Sequence, residues 1–350
     1  MNRFIYDRAA WPRFTWDIEV LATPMAEVRH MQGRFVGRME GLRDSLQAEA
    51  VLNTLTDDVC RSNEIEGMVF DEDHVRTALS KKLGIKNKKK MPEDPALEGA
   101  VDVVIDATQN YNEPMTKERL MSWQQQLFPT GFNGANRVKT GAWRTPRQGE
   151  IVSSRVDREV KTFLDWFNND DGTDGTIRAG MAHLWFITIG PFEAGNGQIA
   201  RALSDMMLAR TEKTNMRFYS LSTLLRADQA SYFDTLERTQ KGNLDITGWM
   251  AWFLLCLSRA IEGAKLAQDQ VFQKARFWDE HAMTSFNPRQ RKVIDKLLAG
   301  DDKPLTSSSW ARTTKCSQDT ALRDIQALMD LGILEKDAAG GRSTKYYLAA

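Results

Sequence analysis

Residues 190–201 read Gly-Pro-Phe-Glu-Ala-Gly-Asn-Gly-Gln-Ile-Ala-Arg, and this stretch is the most informative part of the chain. It lies between two runs with helical apolar spacing, 181–189 and 199–209. A Gly-Asn-Gly turn that opens a helix directs backbone N–H groups into one concavity, where the helix dipole adds positive potential. The stretch therefore predicts a site for phosphate oxygens at Gly195, Asn196 and Gly197.

The same stretch resembles the signature of the Fic family, His-Pro-Phe-x-Asp/Glu-Gly-Asn-Gly-Arg-x-x-Arg. Members of that family typically transfer AMP from ATP to a hydroxyl side chain of a target protein. The resemblance implies a mainly α-helical, Fic-type core in which Gly195, Asn196, Gly197 and Arg201 bind the nucleotide. ATP is therefore the expected ligand, and a target protein of unknown identity is the expected partner.

Three positions depart from the family signature. The family histidine, which accepts the proton of the attacking hydroxyl, falls on Gly190, and glycine has no side chain that could act as a base. The family carboxylate, which holds Mg²⁺, falls on Ala194, which cannot ligate a cation. The first family arginine falls on the uncharged Gln198. The sequence therefore predicts an impaired catalytic centre without a metal ligand at residue 194.

We considered whether a histidine elsewhere in the chain replaces the missing base. The chain has four: His30, His74, His183 and His281. His183 precedes Gly190 by seven residues, so on one helix it faces the same side two turns away, at roughly 10 Å. That distance is too long for proton transfer, and we expect His183 to be a buried residue of an apolar helix.

A further departure follows residues 141–144. Gly-Ala-Trp-Arg at these positions resembles the Gly-x-Trp-Arg segment of the family, after which active relatives carry a hairpin that holds the target by strand addition. Here about a dozen residues separate Arg144 from the helical pattern that begins near Asp157. The resemblance therefore implies a shortened hairpin, with Ile151 and Val152 as its remainder.

Residues 61–67, Arg-Ser-Asn-Glu-Ile-Glu-Gly, resemble the inhibitory motif of the family, Ser/Thr-x-x-x-Glu-Gly/Asn. In Fic proteins that glutamate reaches the second arginine of the signature and blocks productive seating of the ATP γ-phosphate. Ser62, Glu66 and Gly67 match the motif, and Arg201 is the matching arginine. A guanidinium and a carboxylate can form a two-pronged pair. The alternative for Glu66 is a solvated charge on a helix.

The composition of the chain argues against several other classes of protein. The 350 residues include 47 basic and 47 acidic side chains, so no global attraction to nucleic acid or membranes follows. Cys60, Cys256 and Cys316 have the spacing of neither a zinc site nor a disulfide framework, which suits a reducing compartment. No signal peptide is expected at residues 1–4, and the apolar run 246–261 is too short to span a bilayer. We therefore expect a cytoplasmic protein without a membrane partner.

Three domains are predicted. Residues 1–90 form a small N-terminal helical module with the inhibitory helix, residues 91–270 form the Fic-like core, and residues 271–350 form a third domain. The N-terminal module also resembles one found on a bacterial branch of Fic proteins. Apolar spacing is helical through most of the chain, including 226–239, and strands are expected near Ile151 and near the C-terminus.

The third domain resembles a winged helix. Helical patterns at 287–298, 306–313 and 317–331 precede a Gly-tipped hairpin, and Ser317 is the expected N-cap of the third helix. In DNA-binding versions the third helix enters the major groove and the wing contacts phosphate. The candidate DNA contacts are Lys315, Gln318, Thr320, Arg323, Arg342 and Lys345.

The same third helix carries Asp319, Asp324 and Asp330, which repel phosphate. A dimerisation or docking role for this domain is therefore open beside DNA binding, and a homodimer is one expected assembly.

Three functions stay open at the level of sequence. The first is a catalytically impaired Fic adenylyltransferase that keeps nucleotide binding and a regulatory role. The second is a residually active AMP transferase or one inactivated by engineering. The third is a winged-helix transcription regulator in which the Fic core serves as a scaffold. The missing base supports the first function. Residual AMP transfer would support the second, and DNA contacts of the last domain would support the third.

Overall fold

The computed structural model describes residues 4–87, 89–144, 153–298, 305–337 and 344–349. It divides into two compact units, Met1–Ala264 and Lys265–Ala350. Helices dominate both units, which confirms the mainly α fold class. The domain boundaries expected near residues 90 and 270 stay predictions. No helix within the described ranges combines the length and apolar character needed to cross a membrane.

The first unit begins with a short 3-10 helix, Ile5–Asp7. Its α-helices are α1 (Ile18–Glu40), α2 (Asp44–Ile65), α3 (Glu72–Lys82), α4 (Pro95–Gln109), α5 (Lys117–Leu127), α6 (Ser153–Asn168), α7 (Gly175–Ile189), α8 (Asn196–Glu212), α9 (Leu221–Ala227) and α10 (Gln229–Gln240). Two short strands, β1 (Phe132–Asn133) and β2 (Asn136–Arg137), pair antiparallel with Phe132 opposite Arg137. Helix α11 (Thr247–Glu280) contains the boundary between the units.

Helices α7 and α8 form the centre of the first unit. Most side chains of both helices are buried, as is typical of helices that are packed on all sides. Trp249 of α11 donates a hydrogen bond from Nε1 to Gly180 O at 2.9 Å, and Met250 packs so closely that a Cβ on Gly180 would overlap with it. Helix α2 packs against α8 and α9. This packing brings the end of α2 beside the start of α8.

Capping residues set the starts of several helices. Asp17, Asp94 and Asp174 accept hydrogen bonds from first-turn N–H groups of α1, α4 and α7. Such side chains satisfy backbone donors that have no partner within the helix. Thr116 does the same for α5. Helix positions are therefore strongly specified by local sequence.

The second unit contains three further helices and a hairpin: α12 (Pro288–Leu298), α13 (Ser307–Thr314), α14 (Gln318–Asp330), β3 (Leu334–Lys336) and β4 (Tyr346–Leu348). The strands pair antiparallel, and Leu305 forms an additional bridge with Tyr346. Ser317 caps α14 by accepting from Thr320 N. Trp310 and Ile325 are buried at the centre of this unit's core.

Two elements differ from the sequence-based prediction. The expected continuous helix over 226–239 is interrupted, because Asp228 adopts φ −117° and ψ 46° between α9 and α10. The strands β1 and β2 were not predicted, although the dipeptide Asn133-Gly134 is a hairpin signal and Gly134 has φ +56°. The strand expected at Ile151 and Val152 lies outside the described residues.

Candidate functional site

The turn between α7 and α8 is built on two glycines with positive φ. Gly190 (φ +51°) ends α7, and its N–H donates to Phe186 O at 2.9 Å. Gly195 (φ +89°) precedes α8. Asn196, the first residue of α8, donates from Nδ2 to Phe192 O at 2.8 Å and accepts at Oδ1 from Phe192 N at 3.0 Å. The Asn196 side chain therefore braces the turn.

The start of α8 has the properties of an anion site. Its N-cap, Gly195, has no side chain that could accept from the first turn, and the first N–H groups of an α-helix have no partner within the helix. Gly195, Asn196, Gly197 and Gln198 line a cavity of about 580 Å³. Residues from the end of α2, from α10 and from the N-terminal segment complete its wall. Free N–H groups at a helix start favour phosphate or carboxylate oxygens.

Arg201 joins α8 to the end of α2. Its side chain is 2% exposed. Arg201 Nη2 donates to Glu66 Oε1 and to Ser62 O, both at 2.9 Å, and Arg201 Nε donates to Ser62 Oγ at 2.8 Å. The structure thus brings together three residues that the inhibitory motif and the signature predicted separately. Gly67, the next motif residue, has φ +81° and turns the chain after α2.

Gln198 makes a second link between the same two helices. It is buried, and its Nε2 donates to Asn63 Oδ1 at 2.9 Å. Asn63 Nδ2 in turn donates to Val59 O at 2.7 Å. The residue at the first-arginine position of the signature therefore contacts α2 through neutral groups. Sequence reasoning missed Asn63, although it stands next to Ser62 in the motif.

The Glu66 carboxylate lies directly against the first turn of α8. A Cβ built on Gly197 would overlap with Glu66 Oε1, and it would lie 3.2 Å from Arg201 Nη1. The carboxylate therefore stands where an anion bound at the helix start would need space. An incoming phosphate group must compete with Glu66 for Arg201 and for the cavity.

Arg144 positions the turn at Gly190. It is buried, its Nε donates to Gly190 O at 2.6 Å, and its backbone N donates to Pro191 O at 2.8 Å. Gly190 itself lines the cavity without a side chain. The position that carries the base in the family signature is thus held firmly but bears no proton acceptor.

His183 lies in the core. It is fully buried, with Nε2 2.9 Å from Tyr232 Oη and Nδ1 3.3 Å from Ser204 Oγ. Burial, assisted by the positive charge of Arg201, lowers the pKa of His183 to about 3. Among the described residues that line the cavity there is no histidine. His183 is therefore a neutral core residue with hydrogen-bonded ring nitrogens.

The cavity offers few metal ligands. Ala194 lines the cavity, and the carboxylates in the cavity lining are those of Glu66 and Glu193. Glu66 pairs with Arg201, while Glu193 Oε2 accepts from Lys139 N at 2.9 Å. In the described ranges, no group of three or more His, Cys, Asp or Glu side chains could hold a metal ion.

The second unit changes one sequence-based interpretation. Asp324, expected to repel phosphate, is buried and accepts from Arg289 Nε at 2.7 Å and from Asn287 Nδ2 at 2.8 Å. Burial would raise the pKa of Asp324, but these hydrogen bonds outweigh it and hold the pKa below its usual value. The candidate contacts Arg323 and Lys345 are exposed, and Arg342 lies outside the described residues.

Two segments of the chain match known families. Residues 4–85 match the model described as a domain of unknown function (DUF4172). Residues 114–208 match the model of the Fic/DOC family. The second match contains the turn at 190–201, with the start of α8.

A probable protein adenylyltransferase of Aquifex aeolicus is 24% identical over 124 residues. The match covers 34% of this chain and 37% of that protein, so this chain spans little more than a third of its length.

Solved structures share the fold at low identity. A Fic family protein from Desulfovibrio desulfuricans has a TM-score of 0.59 at 18% identity, and the match covers 97% of this chain and 98% of that one. A Fic domain containing signaling protein from Bacteroides thetaiotaomicron has a TM-score of 0.52 at 17% identity, with 68% and 96% covered. At such identities the likeness establishes the fold.

Proposed function

Because this chain contains a Fic/DOC family domain, we propose that it is a Fic-type protein adenylyltransferase whose catalytic centre is impaired and which keeps nucleotide binding and a regulatory role. The observation that carries the proposal is the cavity at the start of α8. It combines free helix N–H groups with a base position, Gly190, that has no side chain, and the buried Arg201 lies behind Glu66 of its lining.

Impaired transfer follows from the chemistry that AMP transfer needs. A target hydroxyl attacks the α-phosphate efficiently when a nearby group accepts its proton. Gly190 cannot do so, and the neutral His183 is engaged in the core by Tyr232 and Ser204. Neither Glu66, paired with Arg201, nor Glu193, bonded to Lys139 N, is placed as an obvious substitute.

The cavity residues fit the phosphates of ATP better than they fit Mg²⁺. The N–H groups that open α8 suit phosphate oxygens, and so does the Arg201 guanidinium once Glu66 no longer covers it. Mg²⁺ prefers carboxylates and water in octahedral geometry. With Ala194 at the signature's carboxylate position and both cavity glutamates engaged, the residues do not fit a bound Mg²⁺ ion.

Calorimetry with ATP tests nucleotide binding. Wild type should bind weakly, since Glu66 occupies part of the site, and Glu66→Gly should bind more tightly. Adding Arg201→Ala to Glu66→Gly should abolish this gain. ATP affinity that is the same in all three proteins would overturn nucleotide binding at this turn.

Incubation with labelled ATP and Mg²⁺ tests impairment. Wild type and Glu66→Gly should transfer no AMP. Restoring Gly190→His, Ala194→Asp and Gln198→Arg on Glu66→Gly should give weak self-modification at best, because the segment that would hold a target is short. AMP transfer by wild type that disappears in Arg201→Ala would show that the centre is active and the proposal wrong.

A second candidate function is DNA binding by the second unit as a winged helix. The observation that favours it is the inward position of Asp324, which removes one carboxylate from the exposed face of α14. Arg323 and Lys345 stay exposed on α14 and on the segment before β4. Cations on such elements contact phosphate in DNA-bound winged helices.

Fluorescence anisotropy with a duplex oligonucleotide at several salt concentrations tests this candidate. Arg323→Ala and Lys345→Ala should each weaken binding and lower the salt slope by about 1. Arg238→Ala, at an exposed arginine of α10, serves as the control. An equal effect of all three variants, or no binding at low salt, would exclude DNA contact through these residues.

A further inference from the structure

A second cavity of the first unit lies at the far end of α8, away from the turn at 190–201. Its volume is about 450 Å³, and residues from the end of α6, the start of α7 and the end of α8 line it. Among the described residues, the charged ones in this lining are Arg178, Arg210, Lys213 and Asp170. Three positive charges against one negative charge leave two positive charges in excess. We call this the arginine cavity.

Arg210 is a half-buried cation that pairs with no carboxylate of the described residues. Its Nε, Nη1 and Nη2 atoms each donate to one backbone oxygen at 2.7 to 3.0 Å, those of Tyr111, Phe167 and Glu113. These bonds use three of the five N–H groups of a guanidinium and carry no full negative charge. Burial, together with the positive charges of Arg119 and Arg178, lowers the pKa of Arg210 to about 10. A bound anion would relieve this cost.

The charge of Arg178 is also poorly compensated. Its side chain is buried, and its one carboxylate partner in the described residues is Asp170, with Arg178 Nη1 3.2 Å from Asp170 Oδ1. The Asp170 side chain is 85% exposed, so water screens this pair strongly. Arg178 Nε is buried and has no hydrogen-bond partner among the described residues. The excess positive charge of the cavity is therefore real rather than cancelled by a tight ion pair.

Capping of α6 is the structural alternative. Arg178 Nη2 donates to Trp166 O at 3.0 Å and to Asn169 O at 2.6 Å, and basic side chains often bind the last carbonyls of a helix. Capping explains where the guanidinium of Arg178 points. It does not explain why the exposed Lys213, which forms no ion pair with a described residue, lines the same cavity as two arginines.

The excess charge matches a phosphate group. A phosphate monoester carries about −1.5 to −2 charges at pH 7, whereas a single carboxylate carries one. Arginine forks suit phosphate oxygens, and lysine binds them as a point charge. The volume lies within the range of small-molecule sites, so the cavity has room for more than one functional group.

We propose that the arginine cavity binds a phosphate dianion, either free or as the monoester of a small molecule. Arg210 and Lys213 contact its oxygens, and the buried Arg178 adds positive charge. This site is separate from the proposed nucleotide site, because the two cavities lie at opposite ends of α8 and share no lining residue.

The experiment titrates inorganic phosphate and glycerol 3-phosphate by calorimetry at low ionic strength into the full chain, as wild type, Lys213→Asn and Asp170→Asn. Both substituted residues are exposed, and asparagine tolerates the φ of +55° at position 213. Arg178 and Arg210 are left unchanged, because their bonds to backbone oxygens also hold the fold. Thermal midpoints of unfolding check that each variant is folded.

The two variants should act in opposite directions. Lys213→Asn removes a positive charge and should weaken phosphate binding about threefold to fivefold, while Asp170→Asn removes the negative charge and should strengthen it by a similar factor. A merely structural Asp170 would lower stability on substitution without tightening phosphate. The matched controls are Lys241→Asn and Asp234→Asn, since both residues are exposed, form ion pairs elsewhere and do not line the cavity. Neither control should change the affinity.

The choice of probes identifies the source of the phosphate. Tighter binding of glycerol 3-phosphate supports a monoester, and tighter binding of inorganic phosphate supports the free ion. The proposal is overturned if wild type binds neither probe, or if the control variants shift the affinity as much as the cavity variants. It is also overturned if Glu66→Gly tightens both probes while Lys213→Asn and Asp170→Asn change neither. Phosphate would then bind at the start of α8, and the proposed nucleotide site would stand without this one.

Discussion

Glu66 Oε1 lies 2.9 Å from Arg201 Nη2, although the two residues are far apart in the chain, Glu66 directly after α2 and Arg201 within α8. The arginine is buried and also donates to Ser62, so its position is firmly held. Glu66 is partly exposed and bonds to Arg201 at one carboxylate oxygen. The glutamate, which lies on the cavity side, is therefore the less buried partner of the pair and is held to Arg201 by one hydrogen bond.

Neutralising Glu66 should strengthen ATP binding. Glu66→Gln keeps the size of the side chain but removes the charge that repels phosphate and pairs with Arg201. We expect roughly tenfold tighter ATP binding, or about 1.4 kcal/mol, by calorimetry. Glu64→Gln is the control, because Glu64 lies two residues earlier in the last turn of α2, pairs with Arg61 and Arg226, and does not line the cavity. An equal gain in both variants would contradict a direct role of Glu66.

Gly99 should not tolerate a methyl group. A Cβ at Gly99 in α4 would overlap with the backbone oxygen of Gln126, so α4 and α5 would have to separate. We expect Gly99→Ala to lower the free energy of unfolding by about 3 kcal/mol.

Gly33→Ala is the matched control for this change. Gly33 lies within α1, and a Cβ there meets nothing within 4 Å. Because alanine favours helices, this substitution should raise the free energy of unfolding by about 0.5–1 kcal/mol. Urea denaturation measures both variants, and a loss of similar size at both sites would refute the packing argument.

Arg217 is expected to be a major determinant of stability. It is fully buried, and it donates to Glu212 Oε2 at 2.7 Å and to Asp205 Oδ1 at 3.3 Å. Arg217→Met leaves both carboxylates without their cation, which should lower the free energy of unfolding by about 3–5 kcal/mol. Arg238→Met removes an exposed arginine and should change it by less than about 1 kcal/mol. Chemical denaturation that gives similar losses would contradict this contrast.

His183 should make stability depend on pH. Its pKa falls from 6.5 to about 3 in the folded protein, mainly through burial. Between these two pKa values the unfolded chain binds a proton that the folded chain does not. The stability that the neutral His183 contributes is therefore fully present above pH 6.5, and it is lost as the pH falls toward 3. The expected slope approaches 1.4 kcal/mol per pH unit around pH 5.

The matched variant for this measurement is His183→Gln, which can keep one hydrogen bond but does not titrate. Asp205 gives a slope of opposite sign, because its pKa is raised to about 6 and its contribution falls as the pH rises between about 4 and 6. We therefore measure, for wild type and for His183→Gln, how far the denaturation midpoint falls from pH 7 to pH 5. The fall should be larger in wild type. Equal losses in both proteins would exclude His183 as the titrating group.

Much of the helical architecture was predictable because it depends on local signals. The predicted N-cap Ser317 starts α14, and the apolar runs on either side of the 190–201 turn form α7 and α8. The predicted ends of helices and strands were less accurate where local signals compete. Asp228 divides a helical pattern, and the hairpin at Asn133-Gly134 is so short that its strands show no alternation.

The side chains present at the turn can be read from the residue order alone: glycine and alanine where the family signature has a base and a metal ligand, and an arginine at position 201. These identities need no geometry, because an absent functional group is absent in every conformation. Three relations are visible only in the folded chain: Glu66 lies over Gly197, Phe4 lines the same cavity, and Asp324 is buried within its unit. Such relations join segments distant in sequence, and they depend on packing and side-chain direction, which local patterns do not encode.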